Sequence, residues 1–287
     1  MFAVTSRSDV PARAAVPDTA ALPRSFGTLD LRFIRRGEAT SADRVFQSGV
    51  MRARFPNVAK GSAPEAVVIN TAGGLTGGDA LKISVAVAQG ASAVVTTQAH
   101  EKVYRSSQGP ASVLSRAQVA DGATLEWLPQ PTILFDGSRL VRETHIDLAP
   151  EARFLGVEAV IFGRTAMNEV IRSGSLCDSW TVERGGRTIH ADRFEVAGDV
   201  AAFLVRPTVL AGCAAMATIR YVATDLAAMR DRVREKLDSL QAIGGATVWN
   251  GLLLVRIVAE NGYLLQHTLV SVLAEMRGRA LPAVWSI

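Results

Sequence analysis

Residues 81–88 alternate without a break. Leu81, Ile83, Val85 and Val87 fall on one side, with Lys82, Ser84 and Ala86 between them. That two-residue period predicts a half-buried strand. After Gln89-Gly90-Ala91 a second apolar stretch runs from Ala93 to Gln98. The same pattern then returns: Val87, Gly90, Ala91 and Gln98 reappear 32 residues on as Val119, Gly122, Ala123 and Gln130. A looser third copy, Asp147–Ala152 followed by Phe154–Glu158, is offset by a further 29. Self-similarity at such spacings predicts stacked strand–turn–strand units, a layered or solenoid-like β body. Ordinary β-meander punctuation is the alternative reading. Trp180–Glu183 and Arg187–His190 flank Gly185-Gly186 and predict a hairpin. Phe203–Val205 and Leu252–Val258 read as buried strands.

Toward the C-terminus the apolar period lengthens to that of a helix. Asp225 is placed as the N-cap of a helix near 225–240, with a stripe of Leu226, Met229, Val233, Leu237 and Leu240. Arg234 and Asp238 form an i,i+4 pair on its polar side. A second helix near 262–277 carries Leu265, Leu269, Val272 and Met276, with Gly278 as its stop. The expected class is mainly β with two C-terminal α-helices, without the βα alternation of a doubly wound sheet. The expected domain plan is a disordered lead-in over 1–25, rich in Ala, Pro, Ser and Arg, and a single β domain over 26–287.

Composition narrows the function classes. Two cysteines, Cys177 and Cys213, are too few for a disulfide framework or a Cys-rich zinc site. The N-terminus has no continuous apolar core of signal-peptide length. The most apolar window, Val200–Ile219, is interrupted by Arg206-Pro207, which makes it a poor membrane span. A cytoplasmic protein without membrane contact is expected. The formal charge of +4 invites a nucleic-acid reading, but residues 1–56 hold nine arginines against five acids. The remaining 231 residues are net neutral. A surplus confined to one end argues against a general polyanion binder.

Four polar segments carry the candidate chemistry. Asn70–Asp79 holds four glycines in six positions, a backbone needing positive φ or close approach. It is not a phosphate loop, because Asp79 stands where the cation belongs, and a strand rather than a helix follows. Thr96–Arg105 combines hydroxyls, His100, Glu101 and two cations at a strand end. Leu128–Arg139 contains Pro129 and Pro131 around Gln130, then an Asp136-Gly137 turn. In Phe162–Glu169 the carboxylate of Glu169 requires an arginine such as Arg164 or Arg172, or a wet cavity. His190 and Asp192 share a strand face but supply only two metal ligands. No H-E-x-x-H or G-x-S-x-G motif occurs. These features favour a binding or scaffold protein over an enzyme.

Taken in order, NTAGGLTGGD (70–79), TTQAHEKVYRS (96–106), LPQPTILFDGSR (128–139) and FGRTAMNE (162–169) resemble the urease accessory protein D family, with LPAVW (281–285) a weaker match. Val50, Asn168 and Ala283 depart from the family's usual residues. Against the family pattern, Asn168 is expected to alter the loop carrying Glu169, and Ala283 to remove a cation that would pair at the C-terminal end. The resemblance implies a largely β fold with two helices and a non-enzymatic urease maturation factor. Such a protein would bind the urease apoprotein and the accessory proteins F and G, the latter a GTPase. It would support insertion of nickel(II), in transit through an internal channel, with no tightly bound cofactor. With protein rather than nucleic-acid partners implied, Arg24, Arg32, Arg35, Arg36, Arg44, Arg52 and Arg54 are expected to help dock an acidic partner surface. Asp79, Asp136 and Glu169 are the expected channel-lining oxygen ligands, with His100–Glu101 a weaker pair, since weak oxygen ligands exchange readily. The rival readings are a purely structural wedge on urease and a solenoid-type carbohydrate-active enzyme. The dispersed Trp127, Trp180, Trp249 and Trp285 offer no sugar platform for the second.

Overall fold

The computed structural model describes residues 24–164 and 169–286. Residues 1–23 of the expected lead-in, and Asn168, lie outside them. The chain builds two stacked sheets and a helical layer. The 7-stranded sheet A has β1 (Phe26–Arg36), β5 (Ala80–Val87), β8 (Ala111–Val119), β11 (Arg139–Leu148) and β13 (Ser173–Arg184) in parallel, edged by antiparallel β2 (Ala39–Gly49) and β14 (Arg187–Asp199). The 10-stranded sheet B runs in parallel through β4 (Glu65–Asn70), β6 (Ser92–Thr97), β9 (Thr124–Leu128) and β12 (Arg153–Phe162). Antiparallel β3 (Met51–Arg54) edges it on one side. β15 (Ala215–Val222), β17 (Leu252–Ala259) and β16 (Ile243–Trp249) complete the other side. Two short strands, β7 (Glu101–Val103) and β10 (Thr132–Leu134), pair off this path.

The internal repeat is the stacking register of this body. Val87 lies beside Val119, and Val119 beside Leu148. After each corner, Ser92 lies beside Thr124 and Thr124 beside Arg153. The offsets of 32 and 29 are therefore one coil of chain each, and the parallel pairing decides for stacked units over a meander. The corners are equivalent as well: the amides of Ala91, Ala123 and Ala152 donate to Ala88, Ala120 and Ala149 at 3.0, 3.0 and 3.1 Å. Gly90 N donates across to Asp121 O at 3.1 Å, tying one corner to the next.

Burial explains the two kinds of strand. Sheet A has one covered face, so in β5 and β11 every second position is buried and those between are partly or fully exposed. Sheet B is covered on both, by sheet A and by the helices, so β12 is buried at every position after Arg153. One apolar core lies between the sheets and includes Leu29, Ile83, Leu125 and Trp180. A second lies between sheet B and the helices α2 (Leu226–Ser239) and α3 (Gly262–Arg277).

Both helices fall where the periodicity places them. In α2, Met229, Val233 and Leu237 are buried. In α3, Leu265, Leu269, Val272 and Met276 are buried, joined by Thr268 and Leu273. Each of these large apolar side chains contributes about 1.5–3 kcal/mol by leaving water. Gly278 closes α3 in the left-handed region at φ 62. Asn261 caps its start by accepting from Leu264 N at 3.0 Å. The Asp225 carboxylate makes no capping bond and accepts instead from Tyr221 Oη at 2.8 Å. Arg234 donates to the Ala246 carbonyl rather than pairing with Asp238.

One expected strand is a helix. Phe203–Val205 belongs to the end of α1 (Val200–Leu204), and Val205 is exposed. Asp199 Oδ1 accepts from Ala202 N at 2.9 Å and nucleates the turn, while Val200 and Leu204, four apart, bury together. Three consecutive apolar residues fit either period, and the cap decided it.

Candidate functional site

Between the two sheets lies a cavity of about 300 Å³. Exposed Gly73 and Lys102 stand at one end of it, with Asn70, His100 and Glu101. Apolar side chains such as Ile83, Val95 and Leu140 form its walls. The lining also holds a buried polar set, Ser115, Thr132, Arg142 and Glu158, with Thr132 beside Glu101 in the β10–β7 register. The lining carboxylates are those of Glu101 and Glu158.

Glu101 sits at the start of β7. Its carboxylate accepts from Asn70 Nδ2 at 3.2 and 3.3 Å. Burial outweighs these bonds and pushes its pKa up to about 7, and the nearby Asp79 charge adds to the rise. His100 is held below the usual imidazole value by burial, against a hydrogen bond with Gln266 of α3 and with Lys102 adding to the depression.

In the buried polar set Arg142 organises an ion cluster. Its Nη1 lies 2.6 Å from Glu158 Oε1 and 2.9 Å from Thr132 Oγ1. Nε and Nη2 grip Asp178 at 3.1 and 2.7 Å. Burial pushes Glu158 upward, and Arg142 opposes it. Beyond this cluster Arg220 lies over the Trp180 ring at 4.2 Å. It donates to His190 Nε2 at 3.1 Å and to Asp192 at 3.3 Å. Burial lowers Arg220 to about 10 and, with the Arg220 charge, lowers His190 to about 4. Asp192 also accepts from exposed Arg256 at 2.8 Å. A line of ionisable groups thus runs from Glu158 and Arg142 through Asp178, Arg220 and Asp192 to the surface at Arg256. The Glu158 and Asp178 carboxylates face two buried guanidinium groups, so the cluster is close to neutral.

Of the residues singled out from the sequence, the weaker pair His100 and Glu101 lines the cavity, whereas Asp79, Asp136 and Glu169 lie outside its lining. Asp79 is buried and accepts from Ser25 N at 2.7 Å and Thr76 N at 2.8 Å. It pins the glycine-rich loop, in which Gly73, Gly74 and Gly78 take positive φ. A Cβ on Gly77 would lie 1.9 Å from Ser106 Oγ. Asp136 accepts from Arg172 N, Ser173 N and Arg105 at 2.8, 3.0 and 2.6 Å. Those bonds hold its carboxyl below the usual range. Glu169 takes the arginine the sequence called for: Arg164 grips it at 2.9 and 3.0 Å. Asp136 and Glu169 share a separate surface depression with Tyr104 and Phe135. His190 and Asp192 share a face, as expected, but it faces Arg220. Among the described residues no three of His, Cys, Asp and Glu converge as a metal cage.

Arg142, Glu158, Asp178 and Arg220 went unread in the sequence, yet each carries a signal. Arg142 falls in phase with Leu140, Ile146 and Leu148 on the buried side of β11. Asp178 falls in phase with Leu176, Trp180 and Val182. Glu158 and Arg220 interrupt strands buried almost throughout. A charge in the apolar phase of a strand needs a partner across the core.

The UreD urease accessory protein family model matches residues 25–286. A urease accessory protein UreD from Azorhizobium caulinodans is 45% identical over 243 residues, covering 85% of this chain and 89% of that protein. The UreD of Rhizobium etli is 43% identical over 249 residues, covering 86% and 90%. That of Brucella suis is 41% identical over 275 residues, covering 93% and 96%. With near-complete coverage on both sides, the chain belongs to the UreD family of urease accessory proteins.

Proposed function

We propose that this protein is a non-enzymatic urease maturation factor that bridges the urease apoprotein to the accessory proteins F and G. In this reading it passes nickel(II), inserted at the expense of GTP on protein G, through the cavity between its sheets. The observation that carries this reading is the cavity itself, with the carboxylates of Glu101 and Glu158 in its lining and a near-neutral ion cluster around Arg142. A divalent ion with six waters occupies roughly 180 Å³, which about 300 Å³ accommodates. Carboxylate, hydroxyl and amide oxygens bind such an ion without retaining it, unlike His/Cys cages. Glu101 meets the ion at the outer end, with Asp79 adding charge behind it. Asp136 and Glu169 form a second approach at the surface depression.

The test co-expresses urease with Glu101→Gln, Glu158→Gln, Asp136→Ala and Glu169→Ala variants. Co-purification with urease and protein F is measured beside nickel per urease active site. Expected is intact co-purification with several-fold less nickel for the two cavity variants. Unchanged nickel in all four overturns the path and leaves the structural wedge. Unchanged nickel in the second pair alone removes the surface depression from it.

A further inference from the structure

Both sheets stop at one end of the stack: sheet A on β2 and sheet B on β3. Among the described residues no strand pairs with the outer side of β2. Its 11 residues therefore present a row of free backbone N–H and C=O groups. Asp43–Gln47 are exposed without interruption. Val45 is 42% and Phe46 48% exposed, and Phe55, just beyond β3, is 38%. This unpaired edge thus carries two adjacent exposed apolar side chains, Val45 and Phe46, among polar ones.

Its charge is as uneven as its pairing. Residues 24–54 hold seven arginines against Asp30, Glu38 and Asp43, a difference equal to the whole chain's surplus of +4. Arg32 and Arg36 on β1 and Arg44 on the edge strand β2 have side chains 57%, 66% and 61% exposed. Their partners are Asp43 at 3.9 and 3.3 Å and Asp30 at 3.1 Å. Exposed pairs of this kind contribute about 0–1 kcal/mol, so an incoming carboxylate exchanges with them readily. A second copy of the chain is disfavoured, because β2 pairing with β2 brings these arginines against one another. Nucleic acid is disfavoured too: Asp30 and Asp43 repel phosphate, and a phosphate backbone makes no use of a peptide edge or of Val45 and Phe46.

We propose that β2 receives an extended acidic segment of a partner protein as an additional strand of sheet A. Main-chain bonds supply the pairing, and Arg32, Arg36 and Arg44 select the charge. This surface lies outside the nickel reading, and its test reads no nickel.

The experiment uses the full chain and a fluorescein-labelled peptide of alternating glutamate and valine, about ten residues long to span β2. Binding is read by anisotropy, and amide exchange of residues 39–49 by mass spectrometry. Expected are saturable binding, protection confined to β2, and weakening by about tenfold or more in Arg32→Glu/Arg36→Glu/Arg44→Glu. A lysine–valine peptide then binds that variant better than the parent, which also reports that the variant is folded. A probe with alternate amides N-methylated on its pairing edge loses affinity to a similar degree. Equal binding of the methylated peptide, protection elsewhere, absence of binding, or tighter binding of a thymidine oligonucleotide would each overturn the proposal.

Discussion

Replacing Glu101 by glutamine separates the cost of a buried carboxyl from its use. In the folded chain burial raises this group from 4.5 to about 7. The folded state therefore holds the proton more tightly than the unfolded chain. The resulting stabilisation is complete below about pH 4.5 and is lost as pH rises through about 7. At 1.36 kcal/mol per pKa unit the loss approaches roughly 3 kcal/mol by pH 8. Glutamine keeps an acceptor for Asn70 Nδ2 but has no charge to bury. It offers one acceptor oxygen fewer, a pH-independent offset of about 1 kcal/mol. The informative quantity is thus the change in ΔG between variant and parent from pH 4 to pH 8, whatever the offset. Urea titrations at pH 4, 5.5, 7 and 8 should show the variant gaining up to about 3 kcal/mol on the parent across that range. A difference that stays constant with pH would refute the burial argument for Glu101. A stabilised Glu101→Gln protein that delivers less nickel to urease would show a carboxyl kept for its chemistry against its effect on folding.

Arg142→Met should cost about 3–5 kcal/mol near neutral pH, because Glu158 and Asp178 lose their shared cation; a loss under about 1 kcal/mol in urea would contradict the buried cluster. His190, with its pKa lowered from 6.5 to about 4, should remain neutral well into acid. The unfolded chain then binds that proton first, so stability falls as pH drops from about 6.5 to 4; the imidazole resonances in an NMR titration report it, and a midpoint near 6.5 excludes the Arg220 contact. Gly49 turns the chain from β2 into β3 at φ 58, and a Cβ there would lie 1.8 Å from the Phe26 carbonyl oxygen. Gly49→Ala should therefore lower stability by about 2 kcal/mol or more, read as a fall in melting temperature.

How far the sequence reveals this molecule depends on whether a signal is local or crosses the core. Leu81 to Val87, the α3 stripe and the Gly185-Gly186 hairpin depend on neighbours in the chain, and each is legible. The recurrence of Gly90 as Gly122 contains the coil length, but its meaning as a parallel register appears only once Val87 lies beside Val119. α1 was misread because three apolar residues have no period, while its deciding bond comes from Asp199. The site was hardest to read. Polar loops such as 70–79 and 128–139 attract attention, yet Asp79 and Asp136 spend their oxygens on backbone amides. The cavity's charged groups come from β7, β11 and β12, and only packing brings Glu101, Arg142 and Glu158 to one space.

The helical layer over sheet B has a consequence for synthesis on the ribosome. The coils from β4 to β12 lie beside neighbours about thirty residues away in the chain, so each can settle on its predecessor soon after it emerges. The outer face of β12 and β15, by contrast, waits for α2 and α3, the latter ending at Arg277. Until then Val157, Ala159, Ile219 and their neighbours face water as an apolar wall. A nascent chain paused or truncated before residue 226 is sticky by design of its order, and its escape from aggregation rests on the last sixty or so residues arriving.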